Sequence, residues 1–147
     1  MTWLLVFAAL LAGTANPFQS GTNAQLNKQL GQPLWATLIV YATGLAGLLL
    51  AQLILRKPLP SAATFASVSS WAWLGGLISL VPTIIGLTLA QKLGSGLFTG
   101  LTLTSSLITS VLLDQFGLIG FKQHAASLWR IAGCVLMIGG LTLVSIF

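Results

Sequence analysis

Acidic side chains are almost absent from this 147-residue chain, which contains one Asp, Asp114, and no Glu. It also contains a single His, His124, and a single Cys, Cys134. An active site made of paired carboxylates, of clustered metal ligands or of a thiol with an imidazole base needs more of these groups than one chain holds. The sequence therefore predicts that the protein is not an enzyme, that it has no metal site and that it needs no cofactor.

Charge of either sign is also scarce, at 5% of residues, whereas 56% are hydrophobic and the mean hydropathy is +0.98. So few charges cannot cover a soluble domain, and long apolar runs at this composition indicate a membrane protein. The net charge of +5 comes from six basic residues scattered between apolar runs. This pattern is typical of side chains that reach lipid headgroups, so the predicted partners include the lipid bilayer and exclude nucleic acid.

Crossing about 30 Å of hydrocarbon takes roughly 20 helical residues, and four apolar runs have that length. The first apolar run, residues 2–13, is too short by itself and reaches it only when the helix continues through the polar stretch to about residue 27. Segments rich in Gly, Pro and charge separate the runs, such as RKPLPS at 56–61. Pro17 should kink the first helix, because proline has no N–H for the helical ladder. We expect an all-α integral membrane protein, one domain over residues 1–147, with five transmembrane helices at about 2–27, 34–55, 69–91, 95–113 and 128–147.

The first predicted helix has a polar second half, and residues 16–33 contain nine Asn, Gln, Ser and Thr side chains. Four of them recur at helical spacing, at Asn16, Ser20, Asn23 and Asn27. Gln19 lies one turn before Asn23. A carboxamide that faces lipid without a partner costs several kcal/mol, so the stripe should face the bundle interior or an aqueous cavity.

Two interpretations of this stripe remain open. Its side chains either line a cavity and bind solute, or they hold helices together by interhelical hydrogen bonds. On the first interpretation, the candidate solute contacts in this helix are Asn16, Gln19, Ser20 and Asn23.

Further candidates lie in the third and fourth predicted helices. Hydroxyls share a face of the fourth helix and either contact solute or bond their own helix carbonyls; they are Thr102, Ser105, Ser106 and Thr109. Trp73 is a candidate for stacking on solute, although tryptophan at a helix end is also typical of the membrane interface. Small residues predict close helix packing at Gly75, Gly76, Gly96 and Gly100.

Asp114 and His124 bound the loop that precedes the last predicted helix, and we expect them to meet there in a structural contact or a proton relay. No carboxylate lies in the middle of a predicted helix. A solute or coupling ion would therefore meet neutral amides and hydroxyls within the membrane.

With five crossings, the basic residues divide four to two between the two sides of the membrane. The side of the N-terminus has Arg56, Lys57, Lys122 and Arg130, and the other side has Lys28 and Lys92. This bias favours a cytoplasmic N-terminus, but it is small enough for copies to insert both ways. Two oppositely inserted copies could pair as an antiparallel homodimer with a site near the midplane.

Four stretches of the chain carry a family resemblance: PFQSGTNAQLNKQLGQPLWATLI, WAWLGGLISL, LLDQFGLIGF and LWRIAGCVLMIGGLTLV. In order along nearly the whole chain, they resemble the small YdcZ-type membrane proteins of the drug/metabolite transporter superfamily. The resemblance implies five transmembrane helices, a bacterial-type inner membrane, dimers of oppositely oriented copies and a transport function whose substrates are generally unassigned. The chain departs from the family pattern at Ser105 and Ser106, where Gly-Gln is expected.

The sequence thus favours a secondary transporter, an exporter of a small polar or amphipathic solute that works by alternating access as an antiparallel dimer. A dual-topology ion channel and a membrane assembly subunit without transport activity are the alternatives. A pore would conduct in unitary steps, a carrier would show slow saturable flux, and an assembly subunit would have a dry, fully packed interior.

Overall fold

The structure is a computed structural model that describes residues 2–147, and the chain is all-helical over that range. Six α-helices follow one another in this range: α1 (Thr2–Leu30), α2 (Pro33–Leu55), α3 (Ala62–Ala66), α4 (Gly75–Leu93), α5 (Ser95–Phe116) and α6 (Leu128–Ile146). Two short 3-10 helices lie at Ser70–Leu74 and Leu118–Gly120. The expected all-α class is confirmed.

Four segments of the described chain are long and apolar enough to cross a membrane, where the sequence predicted five. They are Pro33–Leu55, Ser70–Leu93, Ser95–Phe116 and Leu128–Ile146. Helix α1 has 29 residues and is about 43 Å long at 1.5 Å per residue. Its length would suffice, but the Asn and Gln side chains of its second half make it too polar to count among the apolar spans.

Helix α1 runs through Pro17 and ends at Leu30, three residues beyond the predicted boundary. Gly31 follows with φ of +67°, a left-handed conformation that costs glycine little, and its N–H bonds the Asn27 carbonyl at 2.8 Å. Pro33 then starts α2 at a position where its missing N–H costs nothing. The kink at Pro17 stays a prediction.

The segment between α2 and α4 differs from the sequence-based expectation. The predicted third helix began near residue 69, whereas the structure has a 3-10 helix at Ser70–Leu74 before α4. Gly75 and Gly76 weaken the α-helix at this junction, which favours a change of helix type. The short α3 was not predicted, because five residues are too few to show periodicity. It forms where the Ser61 hydroxyl accepts a hydrogen bond from the Thr64 N–H at 3.2 Å.

The chain divides into two compact units. Unit I consists of the chain up to Pro17 together with Leu93–Phe147, and unit II is Phe18–Lys92. In unit I, α5 packs against α6. The buried positions of unit II are mostly small side chains, which let helices approach closely: Ala24, Ala36, Thr37, Gly86, Leu87 and Ala90.

Candidate functional site

The amide stripe of α1 becomes more buried along the helix. Asn16, in unit I, and Gln19, in unit II, are exposed, whereas Ser20 and Asn23 are half-buried. The side-chain amides of Gln19 and Asn23 have no hydrogen-bond partner among the described residues. One turn in the second half of α1 therefore offers free carboxamides on a helix that is long enough to cross the bilayer.

Asn27 ends this stripe and connects α1 to α4. Its side-chain Nδ2 donates to the Leu87 carbonyl oxygen at 2.9 Å. A carbonyl only accepts, so this contact fixes which end of the amide faces Leu87. The other end, Oδ1, is buried and has no hydrogen-bond partner among the described residues. Asn27 belongs to the predicted stripe but was not among the predicted solute contacts.

A second, longer contact links the same two helices. Gln91 Nε2 lies 3.5 Å from Gln25 Oε1, and both side chains are exposed. The Asn27 bond joins α1 to α4 at this end of unit II, and the two glutamine amides lie beside it. The interpretation of the stripe as interhelical hydrogen bonding therefore applies to its last turn.

Two of the four predicted hydroxyls of α5 bond their own helix. Thr102 Oγ1 lies 3.1 Å from the Phe98 carbonyl oxygen and 3.0 Å from that of Thr99, and Ser105 Oγ donates to the Thr102 carbonyl at 3.1 Å. All four predicted hydroxyls are exposed, including Ser106 and Thr109. The buried hydroxyl residue of α5 is instead Thr104, at 6% exposure, which lies off the predicted set. Solute contact by the α5 hydroxyls stays a prediction.

Trp73 lies in the 3-10 helix before α4 and packs against α3. Its ring stacks on Phe65, with centroids 6.2 Å apart and planes inclined by 20°. Both rings remain about half exposed. The contact joins two short helices of the α2–α4 connection, and a contact of Trp73 with solute stays a prediction.

The predicted packing glycines differ in their surroundings. A Cβ built on Gly100 would lie 2.5 Å from Leu141 Cδ1 of α6, so α5 and α6 approach closely there. A Cβ on Gly75, Gly76 or Gly96 would meet no described atom within 4 Å. Within one chain, Gly100 is thus the predicted packing glycine at which two helices, α5 and α6, approach closely.

Asp114 pairs with a residue that sequence reasoning missed. Its Oδ2 lies 3.3 Å from Arg130 Nη2, in the first turn of α6, and both side chains are partly exposed. The signal was available, because Asp114 is the chain's one acidic residue and Arg130 is the one basic residue of the apolar run that follows.

His124 meets Asp114 through the backbone. Its N–H donates to the Asp114 carbonyl at 2.9 Å, and Arg130 Nη1 lies 3.5 Å from the His124 carbonyl oxygen. The imidazole Nδ1 lies 2.9 Å from the Lys122 carbonyl oxygen, which only accepts, so Nδ1 carries a proton in this geometry. These bonds close the connection from α5 to α6, and a proton relay through Asp114 and His124 stays a prediction.

A hydroxyl cluster between α2 and α4 was not predicted. Tyr41 Oη of α2 lies 2.6 Å from Ser79 Oγ and 3.1 Å from Thr83 Oγ1 of α4. Ser79 and Thr83 are one helical turn apart and flank Pro82, a pattern that the sequence contains but that does not reveal its partner on another helix.

No three His, Cys, Asp or Glu side chains of residues 2–147 are grouped so that they could hold a metal ion.

In comparisons with known proteins, a family model described as "Putative inner membrane exporter, YdcZ" matches residues 4–143. Searches among curated proteins and among solved structures found no match. The matched range includes all of α2 to α5 and most of α1 and α6.

Proposed function

Because the chain belongs to the YdcZ family of inner-membrane exporters, we propose that it exports a small polar or amphipathic solute as a dimer of two oppositely inserted copies. Transport proceeds by alternating access, and α1 is the fifth membrane-crossing helix of a single domain. The solute binds at the free amides of Gln19 and Asn23.

The observation that carries this proposal is the position of unpartnered amides on a long helix. Gln19 lies within one turn of the middle of α1, and Asn23 lies one turn further toward its C-terminal end. At about 43 Å, the helix exceeds the roughly 30 Å of a hydrocarbon core. A carboxamide in contact with lipid lacks any hydrogen-bond partner and costs several kcal/mol. In the membrane, water, solute or a second copy must therefore cover these side chains.

The dimer is supported by the charge distribution. If α1 crosses the membrane, Arg56, Lys57, Lys122 and Arg130 lie on one side and Lys28 and Lys92 on the other. This difference is too small to impose one orientation. Copies inserted in both orientations can then meet with their α1 amides close to a shared two-fold axis in the membrane plane.

Flux through proteoliposomes tests the proposal. The probes are erythritol, its tetramethyl ether, choline and erythronate, which cover neutral, cationic and anionic solutes of similar size. We expect saturable efflux of at least one probe above that of protein-free liposomes. The variants Gln19→Leu and Asn23→Leu should lower it about tenfold or more, because each removes an amide that contacts the solute.

Gln29→Leu is the matched control, since Gln29 is an exposed amide near the end of the same helix. It should leave efflux within about twofold of wild type. Equal efflux by wild type and both amide variants would remove Gln19 and Asn23 from the site. Absence of efflux for every probe would contradict transport of this solute class, and unitary current steps would indicate a pore instead.

A further inference from the structure

The hydroxyl cluster, defined as Tyr41, Ser79 and Thr83, has three hydroxyl protons that can be donated in hydrogen bonds. Ser79 Oγ donates to the Gly76 carbonyl at 2.7 Å, and Thr83 Oγ1 donates to the Ser79 carbonyl at 2.9 Å. Each hydroxyl has one proton, so both protons on α4 point to the backbone of their own helix. Tyr41 Oη lies 2.6 Å from Ser79 Oγ, and either hydroxyl could donate in that contact. Because the Ser79 proton is used for Gly76, we assign the donor role to Tyr41.

All three protons of the hydroxyl cluster are therefore used within the protein. Tyr41 Oη and Thr83 Oγ1 lie 3.1 Å apart, and neither has a proton left for the other in this arrangement. What the cluster can offer to a ligand is its free oxygen lone pairs. Such a group accepts hydrogen bonds and binds a molecule that donates O–H or N–H.

A further acceptor lies beside the hydroxyl cluster in the same helix. Pro82 has no N–H, so it cannot donate to the carbonyl of Ile78, four residues earlier. Ser79 and Thr83 flank this interruption near the middle of α4. Their depth places the cluster within the hydrocarbon region, where no lipid group can donate a hydrogen bond.

The hydroxyl cluster is also accessible in the single chain. Tyr41 is 36% exposed, and Ser79 and Thr83 are half-buried. Contacts made only to hold helices together need no such access, and here α2 and α4 leave part of the tyrosine uncovered. A ligand that enters unit II from this surface meets acceptors and an aromatic ring.

Charge restricts the ligand further. The chain has a net charge of +5, and its one carboxylate, Asp114, is paired with Arg130 in unit I. No acidic side chain belongs to unit II to attract a cation. Oxygen lone pairs repel an anion at the same place. The lack of an acidic side chain disfavours a cation and the lone pairs disfavour an anion, so the cluster is best suited to a neutral solute.

We infer that Tyr41, Ser79 and Thr83 form a solute-binding subsite that accepts hydrogen bonds from a neutral molecule with O–H or N–H groups. This inference rests on the proposed function, because it names the substrate class of the same exporter. It adds residues of α2 and α4 to a site otherwise assigned to α1. It also predicts that removing the donors from a solute weakens its transport.

Efflux of the four probes tests the subsite with three variants. Wild type should transport erythritol and discriminate against its tetramethyl ether, which has the same carbon skeleton without donors. Tyr41→Phe and Thr83→Val should each lower erythritol efflux about three- to tenfold, the effect of one lost hydrogen bond, and reduce the discrimination between erythritol and its ether.

Thr43→Val is the matched control. Thr43 lies in α2 two residues from Tyr41, and its hydroxyl bonds the carbonyls of Ile39 and Val40 in its own helix. This variant should leave erythritol efflux within about twofold of wild type. Thermal unfolding of each variant in detergent verifies that the protein folds.

A spectroscopic signal separates binding from a purely structural role. Tyr41 is the only tyrosine, so incorporation of 3-fluorotyrosine labels one position of the whole chain. Erythritol should shift the single fluorine resonance in a saturable manner in wild type and in Thr43→Val. The shift should be weaker in Thr83→Val, and the tetramethyl ether should produce none at the same concentration.

The outcomes distinguish the two proposals. Efflux by wild type that Tyr41→Phe and Thr83→Val leave unchanged would overturn the subsite and leave the exporter intact. Exclusive transport of choline, erythronate or the ether would overturn the assigned substrate class. Loss of thermal stability in Tyr41→Phe with full erythritol efflux would show that the hydroxyl cluster only holds α2 and α4 together. No efflux of any probe by wild type would overturn both.

Discussion

Asn27 contains one satisfied and one unsatisfied polar atom within a single amide. Its Nδ2 donates to the Leu87 carbonyl at 2.9 Å, and its Oδ1 is buried with no partner among the described residues. A buried acceptor without a donor costs about 1–3 kcal/mol, whereas a typical hydrogen bond contributes about 0.5–1.5 kcal/mol net. The two effects of this side chain on stability therefore nearly cancel.

Asn27→Leu should leave the free energy of unfolding unchanged or raise it by up to about 1–2 kcal/mol. Leucine has the same branched side-chain shape and is larger, so the substitution removes the unsatisfied acceptor together with the Leu87 hydrogen bond and leaves no cavity. Unfolding in mixed micelles measures the change, and Gln29→Leu serves as the exposed control in the same helix. A loss of more than about 2 kcal/mol would show that Oδ1 has a partner, such as a bound water.

Asp114 shows how far single residues can be assigned from the sequence. As the one acidic residue, it was expected to meet His124 at the loop before the last helix. Its carboxylate partner, however, is Arg130, and His124 is reached through the backbone. Loop conformation decides this choice, because residues 117–127 bring the Arg130 guanidinium back to the end of α5.

Helices α5 and α6 meet at one glycine of the GxxxG pattern. Gly100 faces Leu141, whereas a Cβ on Gly96 would meet no described atom within 4 Å. The spacing of the two glycines was visible in the sequence, but spacing does not show which of them faces the neighbouring helix. Rotation of α5 about its axis settles that, and it depends on packing rather than on local pattern.

Gly100→Leu should lower the free energy of unfolding by about 1–3 kcal/mol, because the added side chain would displace Leu141 and separate α5 from α6. Gly96→Leu adds the same side chain where no described atom lies within 4 Å, so it should be neutral or slightly stabilising. Thermal unfolding in detergent compares the pair. Equal destabilisation by both variants would contradict the assignment of the contact to Gly100, or place Gly96 at an interface with a second copy.

Helix α1 is the element for which sequence and structure complement each other most. The polar spacing predicted a helix with one amide face, and the structure has a continuous helix over Thr2–Leu30. Which amides of that face form hydrogen bonds to another helix was not predictable. Asn27 in the last turn bonds α4, whereas Gln19 and Asn23 stay free of hydrogen-bond partners among the described residues.

We expect the chain to insert in both orientations. In a Cys134→Ala background, the single-cysteine variants Trp3→Cys and Phe147→Cys place thiols at exposed side chains near the two termini. With five crossings the termini lie on opposite sides of the membrane. A membrane-impermeant thiol reagent applied to spheroplasts should therefore label both variants to comparable extents.

Labelling of one terminus alone would mean a fixed orientation and would contradict the antiparallel homodimer. Labelling of each terminus in every molecule would place both termini on the same side. That result would contradict the crossing of α1, since the four apolar spans alone make an even number of crossings.

Composition and periodicity were sufficient to establish the membrane class, the four apolar spans and the amide face of α1. These features depend only on the hydropathy and spacing of residues that are close together in the sequence. The contacts that give the polar residues their roles join positions far apart. Asn27 reaches Leu87 across 60 residues, Tyr41 reaches Ser79 across 38, and Arg130 reaches Asp114 across 16. Such pairs follow from the rotation and relative height of packed helices, and no local pattern of a single chain encodes them.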